Sequence, residues 1–314
     1  MDLGLLDQAR AQGGVLTTGQ AGWHGVTPRG LTRLVNAGEL VRVRKGAFVL
    51  AGAWTAAKPV ERLALRTRAV MAGRAGAVAA GECAVALHGL PLWGVPLERV
   101  LLHGDVTRTR SRSGLTVIPQ LSTVGAVSSE TGVLAVTSAY AVVQLCTAHG
   151  HRAALIALDA ALHSRRVVLS EVVRAAACLS LSGSDLWEVE QMVRLADPSC
   201  ESVGESRTRL LLHDLGYAAR SQVALSDAHG FVARVDFLVE DRVVVEFDGL
   251  MKYDGFEGRA ALAAEKRRED RLRSMGFVVV RLVWSDLEHP ERVAALMNRA
   301  VAQIRRTGAE RSAS

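Results

Sequence analysis

Asp236, Glu246 and Asp248 lie in the stretch Arg234–Tyr253, RVDFLVEDRVVVEFDGLMKY, where two β-branched and aromatic runs flank Glu240-Asp241-Arg242. That pattern is how a β-hairpin is written in sequence. Alternation assigns Val235, Phe237, Val239, Val243, Val245 and Phe247 to one buried face. The other face receives Asp236, Leu238, Val244, Glu246 and Asp248. A two-residue turn would pair Asp236 with Val245 and mix the faces, so the pattern predicts a three-residue loop with Asp236 opposite Glu246. Two carboxylates about 5 Å apart repel by roughly 3 kcal/mol at an effective dielectric near 20. A hard divalent cation, Mg²⁺ or Mn²⁺, would turn that repulsion into a binding site. The same acids also suit a solvated sheet edge that simply faces water.

The elements around the hairpin decide which further groups reach it. Ser202 can cap a helix containing ESRTRLLL, in which Glu205 sits close to Leu212 and beside Leu211 and Leu215 on the helical wheel. Glu205 therefore lies at the edge of the face that packs on the sheet, within reach of the same ion, or it serves only as a first-turn acid suited to the helix dipole. Gln222–Leu225 reads as a first strand and Gly249 closes the second hairpin strand, with Lys252 and Tyr253 just beyond. Glu257–Met275 is a helix rich in Lys266, Arg267, Arg268, Arg271 and Arg273, balanced by Glu265, Glu269 and Asp270 at salt-bridge spacing. Phe277–Val283 is a nearly all-apolar strand of the kind that follows a crossover helix. A last amphipathic helix runs to Ile304.

The 314 residues are enough for two or three domains, and with 49% hydrophobic but 4% aromatic residues the core must be built mostly from Ala, Val and Leu. Thirty-eight basic against 32 acidic residues leave a net charge of +6, a balance that favours a polyanion partner. Cys83, Cys146, Cys178 and Cys200 show no CxxC spacing, which argues against a zinc site or a disulfide framework. No apolar run reaches membrane-spanning length and MDLGLLDQAR is not a signal peptide, so the expectation is a cytoplasmic protein with free thiols and no membrane contact.

At the N-terminus, residues 2–12 fit a helix ended by Gly13-Gly14, and Thr17 or Thr18 can cap a second helix through Trp23. Thr27-Pro28 opens a third, with an N-cap threonine and proline at the first helical position, and Gly38 stops it. Glu39–Leu50 alternates and turns at Lys45-Gly46 as a two-stranded wing. These are the parts of a winged helix-turn-helix. Arg29 and Arg33 would enter the major groove of double-stranded DNA, while Arg42, Arg44 and Lys45 would meet phosphates. A protein-interaction module with a solvated basic face is the alternative.

The run GVLTTGQA…GVTPRGLTRLVNAGELVRVRKGAFVL resembles the N-terminal winged helix of AbiEi-type antitoxins, and ECAVALHG resembles a short helix of the same proteins. The resemblance spans roughly residues 10–170. It implies a repressor of its own operon, paired with a nucleotidyltransferase toxin. Farther on, ESRTRLLL, RVDF, VVVEFDG, KY and EKRREDRLRSMGFVVVRLVW resemble, in order, the very-short-patch-repair-like branch of the PD-(D/E)XK endonuclease superfamily. This second resemblance implies that Asp236, Glu246 and Glu205 form the metal site. Asp248 stands where the superfamily carries lysine, and Lys252 would take over from a shifted position.

The expected fold is multidomain α+β and α/β. It has a winged helix-turn-helix at 1–55, an AbiEi-like α/β middle region at 56–185 and a restriction-endonuclease-like domain with a mixed central sheet at 198–306. The expected function is DNA binding joined to Mg²⁺-dependent phosphodiester hydrolysis, with Asp236, Glu246, Lys252 and Glu205 catalytic and Asp248 an added metal ligand. The alternative is an antitoxin-like repressor, acting with a cognate toxin, whose nuclease fold does not cleave.

Overall fold

The structure is a computed structural model that describes residues 2–120, 126–128, 132–249 and 256–312. The chain divides into two compact units, Met1–Ala196 and Asp197–Ser314. Segments 1–55 and 56–185 thus belong to one unit.

The first unit begins α1 (Leu3–Ala11), β1 (Val15–Thr17), α2 (Thr18–Trp23), α3 (Pro28–Asn36), β2 (Leu40–Arg44) and β3 (Ala47–Leu50). The caps expected from sequence set the boundaries. The Thr17 side chain accepts from the Gln20 amide and Gln20 answers with a reciprocal bond to the Thr17 amide. Thr27 accepts from the Gly30 amide at 3.2 Å, with Pro28 at the first helical position. Gly46 turns the wing at φ 81°, a left-handed conformation that glycine adopts without strain. The sheet order is β1-β3-β2; the β1 strand was not foreseen, and it pairs Leu16 with Phe48. Leu5, Ala9, Leu16, Ala21, Leu31, Leu40 and Phe48 form the core beneath these elements.

The unit continues through α4 (Ala51–Ala56), α5 (Pro59–Met71), β4 (Val78–Ala79), α6 (Gly81–Leu87), β5 (Val100–Gly104), β6 (Arg110–Arg112), β7 (Leu115–Pro119), β8 (Ala126–Ser128) and β9 (Leu134–Val136). It ends in α7 (Ser138–His149), α8 (His151–His163), α9 (Leu169–Ala177) and α10 (Gly183–Leu195). The strands make a mixed sheet ordered β6-β7-β5-β4-β9-β8. The basic segment between β5 and β7 is in part a strand: Arg110–Arg112 pairs antiparallel with β7 as the edge of this sheet. α7 and α8 are apolar almost all round, so both are buried in this unit.

The second unit holds α11 (Val203–Asp214), β10 (Ala219–Asp227), β11 (Gly230–Val239), β12 (Val243–Phe247), α12 (Phe256–Ser274), β13 (Val278–Leu282), a 3₁₀ turn (Asp286–Glu288) and α13 (Pro290–Ser312). Its sheet runs β10-β11-β12-β13, antiparallel until β13, which lies parallel to β12 after the α12 crossover. The hairpin has the expected odd register, Phe237↔Val245 and Val239↔Val243, with Glu240 and Asp241 in left-handed conformation in a three-residue loop. Phe237, Val239, Val243 and Val245 pack with Leu212 of α11 and with Val293 and Met297 of α13. Leu238 and Val244 pack on the other side with Leu272 of α12. Val235 departs from the simple alternation: it joins Leu238, Val244 and Leu272 instead of Phe237. The edge strand β10 is irregular here. Gln222, at φ 52°, stands between the pairs Ser221↔Phe237 and Val223↔Val235, and the register slips at Leu225/Ser226.

Among the described residues no helix is long and apolar enough to cross a membrane. Cys83, Cys146, Cys178 and Cys200 are free thiols, and burial pushes Cys83 and Cys146 up to about 12.

Candidate functional site

In the second unit the hairpin register carries Asp236 and Glu246 to opposite positions at the end of the paired ladder. The Phe247 amide donates to Asp236 Oδ2 at 2.8 Å. α11 is capped by Ser202, whose hydroxyl accepts from the Glu205 amide. This helix comes close to β12 because Gly204 has no side chain: a Cβ there would lie 1.9 Å from Phe247 Cε1. The close approach buries Glu205 beside the hairpin. Its carboxylate accepts from the Glu201 amide at 3.0 Å, the Ser202 hydroxyl at 2.8 Å and Gln222 Nε2 at 2.8 Å. Burial raises Asp236 from its ordinary 3.8 to about 6, and the negative charges of Glu205 and Glu246 push the same way. Three of the expected carboxylates therefore share one electrostatic neighbourhood. Asp248 is exposed beyond them, its amide donating to Leu282 O at 2.8 Å. Lys252 lies outside the described residues.

Arg268 of α12 is the residue that sequence reasoning missed. Its two terminal nitrogens donate to the two oxygens of Glu246 at 2.7 and 2.9 Å, and it also grips Glu265. Arg281 of β13 stands 3.8 Å from Glu246 and pairs with Glu265 and Glu269. These bonds hold Glu265 below the usual carboxylate range, first through Arg268, and hold Arg268 above the usual guanidinium value. Arg271 makes a second fork onto Asp227, 2.6 Å on each arm, and holds that carboxyl at about 2. Arg268 and Arg271 of α12 are thus fastened to the sheet. Leu272, 1% exposed, marks the sheet-facing side of α12, and Arg268 and Glu265 precede it by four and seven residues on that side.

Oxygen donors are the right chemistry for Mg²⁺ or Mn²⁺. As arranged, however, both Glu246 oxygens are taken by a guanidinium and the Glu205 carboxylate by three donors. Among the described residues no three His, Cys, Asp or Glu side chains group as an ion would require. In this arrangement Arg268 supplies the positive charge beside Glu246.

In the first unit, Arg29 and Arg33 are exposed on α3 and Arg42 and Lys45 are exposed on the wing. Arg44 differs. It is half-buried, and its guanidinium donates to the carbonyls of Arg112 at 3.2 Å and Ser113 at 3.4 Å.

Residues 5–51 match the family described as Transcriptional regulator, AbiEi antitoxin. Two Mycobacterium tuberculosis proteins, Uncharacterized protein MT2308 and Uncharacterized protein Rv2248, are each 30% identical to the chain over 236 residues, which is 74% of this chain and 84% of theirs. The chain belongs to the family of these mycobacterial proteins, and it carries an N-terminal segment similar to AbiEi antitoxin transcriptional regulators.

Proposed function

We propose that the protein is a DNA-binding transcriptional regulator of the antitoxin kind, with α3 in the major groove and the wing on the phosphate backbone. The observation that carries this reading is that a threonine-capped helix exposes Arg29 and Arg33 and the hairpin that follows it exposes Arg42 and Lys45. Groove contacts read sequence, whereas phosphate contacts position the protein and respond to salt. The test is fluorescence anisotropy with the duplex upstream of the gene and a shuffled duplex. Arg33→Ala is expected to narrow the difference between the two, by about tenfold where the contact is bidentate to a base. Lys45→Ala is expected to weaken both equally and lower the salt slope by about one unit. Affinity that ignores Arg29→Ala, Arg33→Ala, Arg42→Ala and Lys45→Ala together would overturn the reading. A cognate toxin is the partner that this reading implies.

A second reading, endonuclease activity in the C-terminal unit, rests on the crowding of Asp236, Glu246 and Glu205. It requires Arg268 to release Glu246, since both oxygens of that carboxylate accept from the guanidinium. Incubation of supercoiled and linear DNA with Mg²⁺ or Mn²⁺ tests it. Cleavage that is lost in Glu246→Gln and in Lys252→Ala supports it, and intact DNA under every condition removes it.

A further inference from the structure

Arg44 bends away from the wing tip onto a second basic element. The β6–β7 hairpin turns through Ser113 and Gly114, both left-handed at φ 49° and 74°, which is the two-residue turn that matches strand twist. The carbonyls of Arg112 and Ser113 at this turn accept from the Arg44 guanidinium. Arg110 and Arg112 stand two residues apart, on the order of 7 Å, on the exposed edge strand β6. Ser111 between them turns the other way, to the Thr116 hydroxyl at 2.9 Å. Burial first, and then the charges of Arg74, exposed after α5, and of Arg112, disfavour the protonated form of Arg44. Among the described residues Arg74, Arg110 and Arg112 have no ion-pair partner. Like charges without an ion-pair partner raise the free energy of the isolated protein, and a polyanion relieves it.

We propose that Arg74, Arg110 and Arg112, joined to the wing through Arg44, form a second DNA-backbone contact that lengthens the footprint of the winged helix. The proposal rests on the DNA-binding reading above. Double-stranded DNA is favoured over a small anion for two reasons. Arg110 and Arg112 lie on the outer strand of their sheet, an edge that a long duplex backbone can run along. The strip also continues the exposed cations Arg42 and Lys45 of the wing, so a duplex lying on the wing has its next phosphates over β6.

The test uses the full chain and a random-sequence duplex of about 30 base pairs, followed by anisotropy across a salt series. The double variant Arg110→Ser, Arg112→Ser changes two exposed side chains and is expected to keep the thermal midpoint. Its plot of log K against log salt should be shallower by about two units, from about 0.9 per lost phosphate contact. A wild-type slope in this variant, alongside a shallower slope in Arg42→Ala, Lys45→Ala, overturns the second contact and leaves the winged-helix reading intact. The reverse pattern keeps the strip and overturns the winged helix as the DNA reader. If neither variant changes the slope, both fail. Tighter binding to phosphatidylserine vesicles than to duplex, lost in the Arg110 and Arg112 variant, would assign the strip to a lipid surface and overturn the proposal.

Discussion

Asp236→Asn should make the C-terminal unit more stable at neutral pH and flatten its response to pH. The Asp236 carboxyl sits half-buried at about 6 against an ordinary 3.8, chiefly because burial disfavours its charge. A raised folded-state value means that folding favours the protonated acid. Its contribution is therefore fully present below about pH 4 and is lost as pH rises through about 6. A shift of about two units corresponds to roughly 3 kcal/mol, and partial exposure to solvent reduces this to about 1–2 kcal/mol. Asparagine keeps the shape and still accepts the Phe247 amide through its side-chain oxygen, but it has no charge to desolvate. Urea unfolding from pH 4 to 8 measures the difference, with Trp284 reporting on this unit because its ring meets Phe247 edge-on at 4.8 Å between centroids. The variant should match wild type near pH 4 and gain about 1–2 kcal/mol on it by pH 8. A gap that stays flat, or that closes as pH rises, refutes the reasoning, because it places the carboxyl at or below its ordinary value.

Arg268→Ala removes the cation that holds both Glu246 oxygens and should cost about 2–4 kcal/mol, since it leaves carboxylates together without their counter-charge. Millimolar Mn²⁺ should then raise the thermal midpoint of this variant while leaving wild type unmoved; equal responses in the two proteins would falsify the counter-charge role of Arg268. Gly204→Ala drives a methyl group into Phe247 and should destabilise the C-terminal unit by about 1–3 kcal/mol. A midpoint within a degree of wild type would show that the close approach of α11 is not required. Thr27→Ala should cost about 1 kcal/mol through loss of the α3 cap, read as a lower midpoint for the N-terminal unit.

The hairpin register was legible because strand parity is strict: a slip of one residue would have turned Asp236 or Glu246 into the core. The winged helix was legible from its punctuation, namely Thr17, Thr27-Pro28, Gly38 and Gly46. What escaped the sequence depends on contacts between distant elements. The cations of α12 read as helix-surface partners of Glu265 and Glu269, and only the packing of Leu272 shows that Arg268 and Arg271 reach the sheet. Arg110–Arg112 contains no β-branched residue and is a strand because β7 offers it an edge. Val235 was assigned to the wrong cluster because alternation assumes a regular ladder, and β10 interrupts it at Gln222. Gly204 carries no signal in its own identity; its role exists only where Phe247 comes up against α11.

The irregularity of β10 has a consequence for solubility. A straight outer strand offers a row of unpaired amides and carbonyls to any other chain. β10 lies at the edge of its sheet, and its left-handed Gln222 and its slip at Leu225/Ser226 break that row into short lengths. Gln222 spends its side-chain amide on Glu205, which ties the kink to the neighbouring helix and keeps it from relaxing into a flat strand. The kink that spoils the alternation of β11 thereby also guards the sheet against growing from one molecule into the next.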